Sequence, residues 1–67
     1  MPLHVIVTED RPEMIHGIKH LTSIPLPKVG DLVEILDDRM DYIGDGEVTA
    51  VSEKDWIYDV RPTHWKE

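Results

Sequence analysis

Glu47-Val48-Thr49-Ala50-Val51-Ser52-Glu53-Lys54-Asp55-Trp56-Ile57-Tyr58-Asp59-Val60-Arg61 is the stretch that decides the fold. Two runs rich in β-branched and aromatic residues flank a short polar turn, Glu53-Lys54-Asp55, and such residues suit a pleated, half-buried surface. In the second run Trp56, Tyr58 and Val60 fall on one face. In a chain without Phe, Trp56 and Tyr58 read as core. Pro62 is expected to stop regular pairing or to mark an edge. Residues 63–67 then form a short tail in which Trp65 stands out.

Working outward, residues 37–46 read as an Asp-rich loop ending Gly44-Asp45-Gly46, since Asp-Gly is a tight-turn signal. Leu32-Val33-Glu34-Ile35-Leu36 is a nearly continuous apolar strand, broken only by Glu34. Lys28-Val29-Gly30-Asp31 looks like the turn that opens it. Ile24-Pro25-Leu26-Pro27 cannot be a regular central strand, because each proline lacks an N–H. Residues 3–8 read as a strand, with Leu3, Val5 and Val7 on one face and His4, Ile6 and Thr8 on the other. The polar, Pro-containing residues 9–13 should turn the chain.

Residues 14–24 are ambiguous. Met14, Ile18 and Leu21 match a helical stripe with Ile15 beside it, yet Met14, Ile18 and Ile24 also fit one face of a strand. Gly17 weakens a helix by about 1 kcal/mol relative to Ala. Pro12 and Glu13 occupy the positions where an N-cap would stand. The favoured reading is an extended segment pairing back on the first strand, with a short helix as the alternative.

With 67 residues there is room for a single domain, residues 1–67, and no second core. A chain this short buries only about 60% of the surface its unfolded form exposes. The absence of cysteine removes disulfides, Cys-type zinc sites and thiol nucleophiles, leaving metal binding or self-association as aids to stability. Fourteen acidic against seven basic residues give a net charge of −7. That balance argues against nucleic acid, whose phosphates need a basic patch, and against an anionic membrane surface. It allows a basic protein partner. No basic segment followed by a long apolar run is present, so a cytoplasmic location is the expectation.

The segment Pro25-Leu26-Pro27-Lys28-Val29-Gly30-Asp31-Leu32-Val33-Glu34-Ile35 resembles small SH3-like barrel proteins, where a Pro-containing lead-in precedes Val-Gly-Asp and a strand. The continuation Gly46-Glu47-Val48-Thr49-Ala50-Val51, a turn and Trp56-Ile57-Tyr58-Asp59-Val60 resembles them too, so the likeness spans residues 24–61. Many short bacterial and bacteriophage proteins look like this. The resemblance implies an all-β fold, a small SH3-like barrel of about five short strands. It implies little about activity, because such barrels host peptide binding, nucleic-acid binding and enzyme subunits alike.

The chemistry-bearing residues offer few constellations. His16 and His20 lie four apart and would share a face of a helix or of a regular strand, a spacing that suits two imidazoles on a metal, with Glu13 or His4 as a third ligand. The zinc-hydrolase pattern is absent, since the stretch reads His16-Gly17-Ile18-Lys19-His20. Asp37, Asp38, Asp41, Asp45 and Glu47 gather oxygen ligands, but an EF-hand count from Asp41 puts Ile43 at position three and Ser52 at twelve. Ser23 and Ser52 lack an elbow motif, and Gly30, Gly44 and Gly46 do not have phosphate-loop spacing. No cofactor and no catalysis are expected. The preferred expectation is a non-catalytic protein-interaction module, an acidic inhibitor (phage-type) or adaptor. It would use an exposed strand edge, the aromatic residues Tyr42, Trp56, Tyr58 and Trp65, and the acidic Asp41 and Asp45. Trp65 is the candidate for packing on a partner. The rivals are a homo-oligomeric (dimeric) accessory subunit and a metal-binding protein using His16 and His20.

Overall fold

A computed structural model describes residues 4–8, 10–21 and 23–67; expectations that involve Leu3 and Glu9, and the side chain of His4, lie outside the described part. The chain forms five strands: β1 (His4–Val7), β2 (Ile15–Lys19), β3 (Leu32–Leu36), β4 (Tyr42–Ser52) and β5 (Ile57–Trp65). They make one curled sheet, a half-barrel in the order β1-β3-β4-β5-β2. β1 runs parallel to β3 and every other pair is antiparallel. The all-β expectation holds, and no helix occurs among the described residues. None is therefore long and apolar enough to cross a membrane.

The concave face holds the core. Ile6, Val33, Ile35, Val48, Tyr58 and Val60 are buried, and Ile15, Ile18, Leu26, Ile43, Val51 and Trp65 pack against them. In β3 and in the first part of β5 the buried residues alternate, as a pleat with one wet face requires, and bulges break the alternation in β2 and β4. Along β3, Val33 and Ile35 are fully buried while Leu32 is 58% exposed. Pro27 is also buried, so the proline-rich lead-in lies against the sheet without joining it.

The turn before β3 forms as its residues dictate. Asp31 N–H donates to Lys28 O (2.9 Å), and Gly30 takes φ +97° at the third position, which favours glycine. Asp31 Oδ2 accepts the Lys28 N–H (2.8 Å), and Val48 N–H donates to Asp31 O (2.9 Å), tying the turn to β4. Between β3 and β4, Asp37 Oδ1 accepts the N–H groups of Arg39 and Asp41, both at 2.9 Å, and Met40 takes a left-handed φ of 67°.

Several boundaries differ from the expectation. The loop after β3 covers residues 37–41 only, and Gly44-Asp45-Gly46 lies inside β4. These glycines make room on the concave face instead of turning the chain. A Cβ on Gly44 would stand 2.7 Å from Trp65 Cε3, and one on Gly46 would collide with Val60 Cγ1. Pro62 does not end β5, which continues to Trp65. β2 covers β5 only over Ile57–Val60, so Pro62 has a strand neighbour on one side alone and sits beside a bulge. Residues 63–65 are therefore strand, not tail.

Trp56 is not core. It closes the β4–β5 turn with φ 56° and is 49% exposed, while Tyr58 alone of the pair is buried. The segment after residue 14 is extended, as favoured, but β2 pairs with β5 and not with β1. Ile15 aligns with Val60 and Ile18 with Tyr58, which delivers both isoleucines to the concave face across one bulge. Consecutive strands β1 and β2 thus end up on opposite edges of the sheet.

Candidate functional site

The convex face of β1, β3 and β4 carries the side chains that the core does not take. Register places them in rows: Val5 beside Glu34 beside Asp45, Val7 beside Leu36 beside Tyr42, and Leu32 beside Glu47 beside Arg61. Val5 (48% exposed) and Val7 (53%) follow one another on this face of β1, and Leu32 lies diagonal to Val5 on β3. Glu34 lies among them, with Asp45 and Glu47 in the next row. Glu34 and Asp45 are direct cross-strand neighbours, and like charges so placed are mildly unfavourable. Tyr42 Oη donates to Asp45 Oδ2 (2.5 Å), and this bond, with the negative charge of Asp45 and Glu34, keeps the phenol protonated above its ordinary 10.0. Glu47 meets Arg61 at 3.4 Å, an exposed pair worth only about 0–1 kcal/mol.

Of the residues expected to bind a partner, Tyr42 and Asp45 lie together here. Asp41 precedes them in the loop, its backbone engaged with Asp37. Tyr58 and Trp65 belong to the concave face, and burial raises the Tyr58 phenol pKa. Trp65 packs on the core with the Arg11 guanidinium 5.7 Å from its ring centroid, and Arg11 Nη1 donates to Lys66 O (2.6 Å). Trp56 stacks on His20 at the far hairpin, ring centroids 5.8 Å apart and ring planes nearly parallel. Val5, Val7, Leu32 and Glu34 were not singled out from sequence. Alternation separated Val5 and Val7 from Ile6, but nothing in the sequence said which side the core would claim.

The histidines do not converge. Two residues of β2, His16 and Gly17, stand where a regular strand would place one, and Gly17 takes φ +66°. That extra residue inverts the alternation, so His16 and His20 face opposite sides of the sheet. His16 Nδ1 lies 3.5 Å from Asp59 Oδ2. His20 Nε2 lies 2.6 Å from Ile24 O and therefore donates to it. Among the described residues no group of three or more His, Asp or Glu gathers to hold a metal, and Glu13 is an exposed loop residue.

Asp59 fastens the bulge. Its Oδ1 accepts the Gly17 N–H (2.9 Å), and this bond, aided by His16, holds its carboxyl below the ordinary 3.8. A depressed pKa contributes stability above the unfolded value that is lost as pH falls through the folded one. Denaturant unfolding at stepwise lower pH is expected to show an added loss of stability below about pH 4 that Asp59→Asn flattens. Equal acid slopes in both proteins would contradict this role.

No family model, curated protein or solved structure matches this chain. Function must therefore be argued from the surface itself. One depression among the described residues is shallow, about 130 Å³, and is lined by Ala50, Val51, Ser52, Ile57, Tyr58 and Asp59. Ligand pockets typically run from roughly 300 Å³ upward. Its carboxylate, Asp59, is already committed to Gly17 and His16.

Proposed function

We propose that this chain is a non-catalytic module that binds a basic protein partner through the convex face of β1, β3 and β4. One observation carries the reading: Val5, Val7 and Leu32 lie exposed on one face, Leu32 diagonal to Val5, with Glu34 among them and Asp45 and Glu47 in the next row. An apolar cluster rimmed by charge is the anatomy of an interaction surface. The chain's net charge of −7 and the unfavourable Glu34–Asp45 neighbours favour a partner that brings Lys or Arg. The likeness of residues 24–61 to SH3-like barrels is compatible with an adaptor or inhibitor of this kind. Trp65, first expected to reach a partner, serves this reading poorly because it packs on the core.

Affinity capture with the tagged protein tests the proposal. A partner should be retained by the wild type, released as salt is raised to about 0.5 M, and lost with Val7→Ser plus Leu32→Ser. Trp56→Ala, changed at the far hairpin, should retain it. A partner kept by the convex-face variant and lost with Trp56→Ala would place the interaction elsewhere and overturn the proposal.

A further inference from the structure

The two edges of the sheet are not equivalent, and the difference points to how a partner docks. At the β2 edge, a bulge at Gly17 interrupts the regular row of backbone groups, and Lys19 adds charge. Bulges and lysines are the devices by which edge strands resist pairing with other chains. β1 has neither: His4–Val7 is regular, pairs residue for residue with β3, and contains no Pro, Gly or Lys.

The backbone direction along β1 follows from one hydrogen bond. Thr8 N–H donates to Leu36 O (3.0 Å), so residue 8 points its peptide groups at β3. Peptide groups alternate sides along a strand as side chains alternate faces. Ile6 therefore also points to β3, while the N–H and C=O groups of Val5 and Val7 point to the free edge. The same two residues expose their side chains on the convex face. Backbone donors, backbone acceptors and apolar side chains are thus presented together.

We infer that the partner enters as an extended, Lys- or Arg-bearing segment that adds a sixth strand along β1. This rests on the interaction-module reading and specifies its chemistry. Backbone pairing with Val5 and Val7 supplies the strand addition. The aliphatic stems of Lys or Arg lie across Val5 and Val7, and a head passing over Val5 reaches Glu34 in the row behind, with Asp45 adding its field beyond. A second copy of the chain is the less favoured occupant, since each copy carries a net charge of −7.

A synthetic peptide alternating Lys and Val, and its counterpart N-methylated along one edge, provide the probe. Amide chemical shifts of the wild-type protein are followed in titrations of each. The parent peptide should shift the Val5 and Val7 amides, and N-methylation should weaken binding by about tenfold or more. Val7→Pro removes an outward N–H while sparing the β1–β3 ladder, and should weaken the parent peptide similarly. Equal binding of both peptides, or shifts confined to another face, overturns strand addition and leaves the module reading standing. Failure of the parent peptide to bind, or a dimer formed through β1 in its place, overturns the basic-strand inference itself. The module reading is overturned separately, by a partner that the Val7→Ser, Leu32→Ser variant keeps and Trp56→Ala loses.

Discussion

Gly44→Ala is expected to destabilise the protein by about 3 kcal/mol, enough to leave a substantial unfolded fraction at moderate temperature. Gly44 faces the concave side of β4, aligned with Ile35 on β3 and Trp65 on β5. An added Cβ would stand 2.7 Å from Trp65 Cε3 and would press directly on the His64 carbonyl oxygen. The ring could swing aside, but the carbonyl belongs to the neighbouring strand. Relief therefore requires β4 and β5 to part where Lys66 N–H donates to Ile43 O (2.8 Å). A domain of this size has roughly 3–10 kcal/mol in total. Urea unfolding should show a lower midpoint at unchanged slope. A midpoint equal to the wild type would mean that the close approach of Trp65 to the β4 backbone is not a feature of the folded protein.

Ile35→Ala is expected to cost about 3–4 kcal/mol, within the usual range for truncating a buried Ile. Ile35 is fully buried at the middle of β3, between Ile6 on β1 and Gly44 on β4. Its neighbour on β4 has no side chain to move into the space. The resulting cavity stays open, and the lost contacts are not replaced. β1 is held by β3 alone among the described strands, and among the residues whose burial is described Ile6 is the one it contributes to the core. The variant should therefore also loosen β1 before global unfolding, read as faster amide exchange at Ile6 and Thr8 than elsewhere in the sheet. Leu32→Ala, three residues away on the opposite face of β3 and 58% exposed, should change stability by no more than about 0.5 kcal/mol. Similar costs at both positions would mean that the assignment of concave and convex faces is wrong.

These contrasts mark what could be read from the chain. The nearly continuous apolar run Leu32-Val33-Glu34-Ile35-Leu36 and the alternation of Tyr58 and Val60 along the last strand announced strands, because a pleat repeats every two residues whatever it pairs with. The turn at residues 28–31 was legible because Gly30 at a positive φ is a local requirement. Gly44-Asp45-Gly46 misled for a physical reason. A glycine that permits a turn and a glycine that permits close approach look identical in sequence, and only the position of Trp65 and Val60 tells them apart. Pro62 did mark an edge, but that the strand runs on past it to Trp65 was not legible, since this depends on β2 reaching no further than Val60.

The candidate surface was half legible. Tyr42 and Asp45 drew attention as an aromatic and a carboxylate, but their companions Val5, Val7 and Leu32 read as ordinary core candidates. The pairing of His16 with His20 dissolved because a bulge at Gly17 reverses the alternation, and a bulge is recognised only against its partner strand.

By itself, the sequence determined the all-β class, the cysteine-free and acidic character, most strand centres and the turn before β3. These depend on residues within a few positions of one another. Only the tertiary structure decided that β1 pairs in parallel with β3, that β2 crosses to β5, and which side of each strand is wet. Those choices follow from packing six buried side chains into one concave core, a condition on residues far apart in the chain that no local pattern contains.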